Sequence, residues 1–393
     1  MSQTSLKCLF CDAEALWEFS EFSVLPRVTS DCRPFRSGGR LLVCKNCSVV
    51  QKVPDEIWLA DIARIYASYD MYRQGGGAEQ SVLDPASNRF VLRSDLIVRH
   101  LESRLGLRKG ARVLDVGCGT GVTLEAFART AIGLRLFGLE HDTRNLPRLS
   151  RITGFEELFL GSIRDVPIDF ELVTLVHALE HFPNPAVALA SSAERLGDDG
   201  ALFVQVVNSP ENPFDLVIAD HMAHFSAASL RDFAVRQNLH VVSLDTNVIR
   251  RELAMIATRH STMSARSKAA SAGDGATFAA RNLDWLSAVL DEAKLAATRY
   301  ASFGLFGSSI AATWLADALG DRVRFFVDED PARVGRRHLD LPIVAPSDVP
   351  AQAAVFVGMA PVSAESVLSR FSKSAIRLIP PPKMGSGRPS STL

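Results

Sequence analysis

Val113-Leu114-Asp115-Val116-Gly117-Cys118-Gly119-Thr120-Gly121 decides how this chain reads. Apolar positions lead into an acid and then three glycines at alternate positions, and Val122-Thr123-Leu124-Glu125-Ala126-Phe127 continues as a helical run. That order predicts strand, tight turn and helix, the first unit of a doubly wound α/β sheet. Glycine suits the turn because no Cβ collides with a sharply bent backbone or an approaching ligand. Leu136-Phe137-Gly138-Leu139-Glu140 reads as the second strand, ending in an acid 19 residues past Gly121. A carboxylate there can accept two hydrogen bonds from a ribose diol.

A dinucleotide turn orders glycines and an acid in the same way, and a glycine turn can also exist without a ligand. Here the spacing is G-x-G-x-G rather than G-x-G-x-x-G, and Asp115 stands two residues before the first glycine. This pattern resembles the S-adenosylmethionine (SAM) motif of class I methyltransferases. The resemblance implies a cofactor site in which Asp115 helps hold the methionine end, Gly117, Gly119 and Gly121 form the turn, and Glu140 takes the ribose. Further on, Phe170-Glu171-Leu172-Val173-Thr174-Leu175-Val176 reads as a strand that runs into His177-Ala178-Leu179-Glu180-His181-Phe182. The latter phrase is similar to the post-strand motif of many SAM methyltransferases. Strand ends form the ligand crevice of such sheets, so His177 is expected to line the cofactor pocket. Glu180 and His181 read either as functional groups or as capping and packing residues. Another strand, Leu202 to Val207, follows a turn at Gly197-Asp198-Asp199-Gly200.

At 393 residues the chain has room for two or three domains. A hydrophobic share of 47% with 22% charged residues fits a globular protein with a sizeable core. The net charge of −1 offers no global field to recruit nucleic acid or an anionic membrane. No apolar run reaches the length of a membrane span, and Met1 to Lys7 lacks a secretory apolar core. A cytoplasmic location is the expectation.

Six cysteines include two CxxC pairs, Cys8/Cys11 and Cys44/Cys47, separated by 32 residues. Two such knuckles can direct four thiolates at one tetrahedral ion, which predicts a structural Zn²⁺ site. The competing reading is a redox dithiol, which needs a βαβ context that this loop-rich segment lacks. Cys32 is left outside the set. Next, Tyr66, Tyr69 and Tyr72 recur at a spacing that would share a helix face before Gly75-Gly76-Gly77 break it. Tyr66 and Tyr69 read as packing residues, and Tyr72 as a substrate contact. A helix is expected from about residue 85 to 105.

Past the sheet, Asp220-His221-Met222-Ala223-His224-Phe225-Ser226 places two histidines and an acid where a substrate would lie. Histidine can act as a base near neutral pH, so His221, with His224 as its rival and Asp220 as its partner, forms the candidate catalytic group. Both rings could instead merely bridge loop carbonyls. An amphipathic helix ending near Asn238 and a strand from His240 follow. Ser264 to Gly275 reads as a small-residue linker, and a helix is expected from about Phe278 to Ala297. Phe303 to Ala312 repeats the strand, turn and helix pattern, and later strands at Val323 to Asp328 and Ala353 to Gly358 complete a second Rossmann-like domain. Its G-x-x-G turn lacks dinucleotide spacing, so docking over the substrate is the expected role. The Pro-, Gly- and Ser-rich tail is expected to be disordered.

The whole arrangement resembles the zinc-containing sugar C-methyltransferases, which act on nucleotide-linked keto-deoxysugars. The resemblance covers nearly the full chain: four cysteines, a tyrosine junction, the His-Ala-Leu-Glu-His phrase and a C-terminal domain. That last domain carries Phe326-Val327-Asp328-Glu329-Asp330-Pro331 and Leu341-Pro342-Ile343-Val344-Ala345-Pro346. The family's Glu-His before Phe-Ser corresponds to Asp220-His221 before Phe225-Ser226, which implies that His221 is the base. Val217-Ile218-Ala219 and the Tyr72 to Gly77 junction depart from the family pattern. The expected fold is α/β, a class I methyltransferase Rossmann-like domain between an N-terminal zinc-binding domain and a C-terminal Rossmann-like domain. The expected bounds are 1–64, 65–262 and 276–382, with a tail at 383–393. The expected reaction is C-methylation of a small nucleotide sugar through an enolate. O-methylation of a sugar or glycan, or a non-catalytic SAM-binding scaffold, are the alternatives.

Overall fold

The structure, a computed structural model, describes residues 6–84, 87, 89–130, 132–259 and 274–385. Most of the expected linker and the last residues of the expected tail lie outside them. At the centre is a seven-stranded sheet formed by β1 (Arg112–Val116), β2 (Arg135–Glu140), β3 (Phe155–Leu160), β4 (Phe170–Val176), β5 (Leu196–Val207), β6 (His240–Asp245) and β7 (Glu252–Thr258). Their order across the sheet is β3-β2-β1-β4-β5-β7-β6. All neighbours are parallel except at β7, which runs antiparallel to both β5 and β6. Strands covered on both faces carry near-continuous apolar runs, and Val113, Leu114, Leu172, Val173 and Leu175 are fully buried here.

Gly121 holds the left-handed φ of 83° that starts the helix Val122–Arg129. A Cβ at that position would stand 2.5 Å from Leu149 Cδ2 and 2.8 Å from Ile152 Cδ1, so the close approach of turn and neighbouring helix requires glycine. The Gly197 to Gly200 turn falls inside β5: Leu196 pairs with Phe170 and Ala201 with Leu172, and the residues between them loop out of register.

Two local expectations are corrected. The helix expected from about 85 starts at Arg93, because Ser81–Asp84 and Arg89–Leu92 pair as a β-hairpin before it. Phe90 and Val91 have side chains suited to a pleated surface; residues 85, 86 and 88, where the expected helix would begin, lie outside the described residues. The tyrosines do not share a helix: Glu56–Ala67 ends at the cap Ser68, so Tyr69 and Tyr72 lie beyond it.

The N-terminal segment forms an antiparallel sheet, Leu16–Glu18, Leu41–Cys44 and Val50–Lys52, whose fourth strand, Ala223–His224, comes from the histidine segment. The C-terminal segment forms a six-stranded sheet with Phe303–Phe306 flanked by Phe325–Val327 and Ala354–Phe356. The helix Asp274–Arg299 links the two, and its buried Phe278, Leu283 and Trp285 join one apolar cluster with Phe22, Val28 and Trp314. A second cluster joins Cys8, Phe10, Cys44 and Cys47 to Leu175, Phe225 and Phe233. The cysteine region therefore shares its core with both neighbours. Among the described residues no helix is long and apolar enough to cross a membrane.

Candidate active site

The carboxyl ends of β1 and β4 open into a cleft of about 320 Å³ bounded by all three parts of the chain. Asp115, Gly117, His177, Tyr72 and His221 line it, with Arg333 facing them from the C-terminal domain. Gly119, Gly121, Glu140, Asp220 and His224 are not on this wall.

Three glycines with left-handed φ of 70° at Gly117, 53° at Gly119 and 83° at Gly121 shape the turn after β1, and Gly117 leaves its backbone bare. Glu140 ends β2, and its carboxylate accepts hydrogen bonds from Gly119 N at 2.6 Å and His141 N at 3.0 Å. The acid thus fastens the turn. Asp115 is buried and paired with Thr174 Oγ1 at 2.6 Å. Burial pushes its carboxyl up to about 7; the Thr174 hydrogen bond opposes this and the charge of Glu140 adds to it. The buried Asp115 and the bare Gly117 on one wall fit a cofactor that brings an ammonium group.

His177 follows β4 with a left-handed φ of 50°. Its Nδ1 lies 3.0 Å from Glu180 Oε1 and its Nε2 lies 3.1 Å from Glu252 Oε2, with the Arg93 guanidinium in contact as well. Glu252 also accepts from Gln205 Nε2 at 2.5 Å and Arg93 Nη2 at 2.5 Å. Glu180 is thus a buried orienting group and not a helix cap. Tyr66 Oη lies 2.9 Å from His181 Nδ1, and Tyr69 Oη accepts from Ser30 Oγ at 3.0 Å. Tyr72 lines the cleft, and burial pushes its hydroxyl up to about 12, so the phenol stays protonated near neutral pH.

The histidine segment corrects one assignment. Asp220 does not hold His221. It accepts from Ser30 N at 2.9 Å, contacts Ser30 Oγ, and pairs with His181 Nδ1 at 3.3 Å. The carboxylate that grips His221 is Asp215, on the short turn Pro213–Val217, with Oδ1 2.6 Å from His221 Nδ1. Adjacent residues 220 and 221 send their side chains to different partners, whereas the turn brings residue 215 back beneath the ring. Asp215 Oδ2 also lies 2.8 Å from His224 Nδ1 and accepts from Ser209 Oγ at 2.5 Å. Burial opposes the Asp215 charge, but His224 and His221 hold its carboxyl well below the usual range. A carboxylate only accepts, so both imidazoles present Nδ1–H to it, which makes Nε2 the nitrogen free to accept in a neutral ring.

The two rings then part company. His221 lines the cleft, with the His181 ring edge-on at 4.6 Å. His224 is fully buried, its Nε2 has no hydrogen-bond partner among the described residues, and burial lowers its pKa to about 4 despite Asp215. Burial thus favours its neutral form. At His181, burial disfavours charge, yet the hydrogen bond and charge of Asp220 win and raise its pKa above the ordinary value.

Cys8, Cys11, Cys44 and Cys47 bring their sulfurs within 4.8 Å of one another. The Cys8–Cys47 and Cys11–Cys44 separations are both 3.6 Å. Tetrahedral Zn–S bonds of about 2.3 Å set sulfurs roughly 3.8 Å apart, so the four thiols fit that ion. Phe10 N and Asn46 N approach Cys8 Sγ and Cys44 Sγ at 3.4 Å each, as knuckle amides do. Cys32 stands apart, buried against the cleft.

Residues 87–244 match the family model described as a methyltransferase domain. The central domain is a SAM-dependent methyltransferase domain with the class I fold. Its range takes in β1 to β5, the glycine turn and the histidine segment. The ubiquinone biosynthesis O-methyltransferase of Xylella fastidiosa (strain M23) is 36% identical over 132 residues, which is 30% of this chain and 50% of that protein. Its namesake from Xanthomonas campestris pv. campestris (strain B100) is 32% identical over 115 residues, 28% of this chain and 48% of the relative. The chain thus spans about half the length of the curated relatives it matches. Among solved structures, a TehB-like SAM-dependent methyltransferase from Corynebacterium glutamicum aligns at a TM-score of 0.34 and 14% identity, covering 52% of this chain and 97% of that one. The mitomycin 7-O-methyltransferase MmcR aligns at a TM-score of 0.37 and 18% identity, covering 42% and 53%.

Arg93, Glu252 and Asp215 escaped the sequence reading. Asp215, six residues before His221 in an otherwise apolar Asn-Pro-Phe-Asp-Leu-Val stretch, was the one with a legible signal. Arg93 and Glu252 come from a helix start and a strand start far apart in sequence, and only the fold brings them to His177.

Proposed function

We propose that the protein is a SAM-dependent methyltransferase that methylates carbon beside the carbonyl of a nucleotide-linked keto-deoxysugar. The observation that carries this reading is the Asp215–His221 pair, which presents an imidazole Nε2 to the same cleft that Asp115 and Gly117 line. His221 takes the acidic C–H proton onto Nε2, and the electron pair moves to the carbonyl oxygen as an enolate. Asp215 holds the ring and stabilises the imidazolium that results. His181, beside His221 and favoured in its charged form by Asp220, offers a cation to the enolate oxygen. SAM, when bound, supplies the methyl group on a sulfonium. Holding donor and carbanion in one cleft accounts for much of the acceleration. Arg250, Arg251 and Arg333 line the cleft, and Arg251 Nε is buried with no hydrogen-bond partner among the described residues, which suits a phosphate-bearing substrate. Tyr72 is assigned a substrate contact, and the four cysteines a structural Zn²⁺. The division proposed is 1–64, 65–262 and 276–382, although the helix Glu56–Ala67 runs through the first boundary.

A second reading is favoured by the names of the matched relatives: methyl transfer to oxygen, with His221 deprotonating a hydroxyl. A scaffold role is disfavoured, because a binding subunit has no need of an oriented imidazole on the cofactor wall. Incubation with SAM and a panel of nucleotide sugars, followed by product mass and carbon connectivity by NMR, tests the proposal. Carbon methylation of a keto sugar, with α-hydrogen exchange in deuterated water, is the expected result. Methyl on oxygen without exchange would move the assignment to the second reading.

A further inference from the structure

Within its own domain the segment that carries His221 is held by Asp215 on the ring and by Met222 N, which donates to Glu180 O at 2.6 Å; further support crosses to it from outside that domain. Ala219 N donates to Val28 O at 2.7 Å, and Trp58 Nε1 donates to Ala219 O at 3.2 Å. Ser30 holds the Asp220 carboxylate, and Ala223 and His224 pair with Gln51 and Val50. Each of these outside contacts comes from the N-terminal region.

One residue grips both ends of the loop. Lys52 closes the strand that leads away from the Cys44–Cys47 knuckle. Its backbone N donates to Met222 O at 2.8 Å, and its ammonium donates to Ile218 O. The side chain is 1% exposed and its Nζ sits 5.9 Å from the Phe22 ring centre. A buried ammonium is costly, and among the described residues no carboxylate forms an ion pair with it. Burial lowers its pKa to about 7, and the charge of Arg27 adds to this, while Asp215 and Asp220 favour the ammonium. A leucine or methionine would fill the space at less cost. The geometry therefore gives the ammonium a task, which is to fix the carbonyl of Ile218.

We infer that Lys52 is a positioning residue for methyl transfer: by holding the carbonyls of Ile218 and Met222 it sets the pose of the loop that presents His221 to the cleft. The four-cysteine region then serves catalysis as the mould of the base loop and not only as a folding unit. Lys52 touches neither cofactor wall nor substrate cleft and acts through the loop alone. This rests on the assignment of His221 as base.

The test uses the full-length, zinc-loaded protein with Lys52→Met and Lys52→Gln. Gln retains a donor for Ile218 O, and Met does not. Amide hydrogen exchange over residues 218–222, SAM affinity by calorimetry, and turnover of the nucleotide sugar that the panel identifies are read together. For Lys52→Met the expectation is at least ~10-fold faster exchange in the loop and unchanged SAM affinity. Its kcat should fall ~100-fold with KM little moved, the scale expected of a displacement of about 1 Å at a reacting group. Lys52→Gln should recover most of the loss. Wild-type exchange and kcat in Lys52→Met would overturn the inference, as would a Lys52→Gln protein that folds but is no better than a folded Lys52→Met. If Lys52→Met fails to fold, Lys52→Gln decides alone: loop exchange and kcat both near wild type support the inference, and a ~100-fold loss of kcat with wild-type exchange overturns it. His221→Ala separates the two claims, since normal turnover there removes the base assignment while the exchange data still judge the grip of Lys52.

Discussion

Replacing Asp215 with asparagine tests the catalytic pair at its most informative atom. The carboxylate receives three donors, His221 Nδ1–H on Oδ1 and both His224 Nδ1–H and Ser209 Oγ–H on Oδ2. Asparagine has one acceptor oxygen. The side with two donors should claim it, leaving the NH₂ group against His221 Nδ1. That ring must then accept at Nδ1, carry its proton on Nε2, and lose the lone pair that faces the cleft. Turnover should fall on the order of 10²–10⁴-fold, the range for loss of a correctly protonated general base. Stability should drop by only about 1–3 kcal/mol. Charge-assisted hydrogen bonds become neutral ones, but a buried charge no longer has to be desolvated. SAM affinity should hold, because Asp215 lies off the cofactor wall. Histidine ¹⁵N shifts should report the change of tautomer. An Asp215→Asn protein with wild-type kcat, or with a lost kcat but an unchanged His221 tautomer, would refute this reasoning.

Purified protein should carry about one zinc per chain, and Cys44→Ser should lower metal content and loosen the N-terminal sheet, since the metal's binding energy is folding energy; metal-free yet fully stable wild type would end that reading. Glu140→Ala should weaken SAM binding by about 1.5–3 kcal/mol, roughly ten- to hundred-fold, measured by calorimetry, with some of the loss coming from release of Gly119 N. Asp115 gives a pH dependence. With its carboxyl near 7 in the folded protein, it binds a proton that the unfolded chain releases near 4, so its contribution to stability is complete in acid and is lost as pH rises from about 4 through 7. A bound ammonium favours the carboxylate, so SAM affinity should rise by up to tenfold per pH unit below about 7 and level off above it; affinity that falls over this range would contradict the placement of the methionine end.

The central sheet was legible because its signals are local. Glycines at alternate positions after an apolar run, an acid at the end of the next strand and the His-Ala-Leu-Glu-His phrase each state their own geometry within a few residues. The cysteine knuckles were legible for the same reason, since two residues between thiols already fix their common direction. The helix expected from about residue 85 failed where pairing with a neighbouring strand overrode local helical character. Tyr69 and Tyr72 failed where the helix ended before the periodicity did.

What only the tertiary structure decided is which acid serves which histidine. Sequence adjacency nominated Asp220 for His221, but a turn six residues upstream delivers Asp215 to that ring, and Asp220 turns away to Ser30 and His181. Burial then separated His221 from His224, two residues alike in type and loop. One reaches the cleft, and the other is sealed behind a strand pairing with Val50. The physical reason is that local pattern fixes backbone direction, whereas the protonation and reach of a side chain depend on desolvation and partners from distant segments.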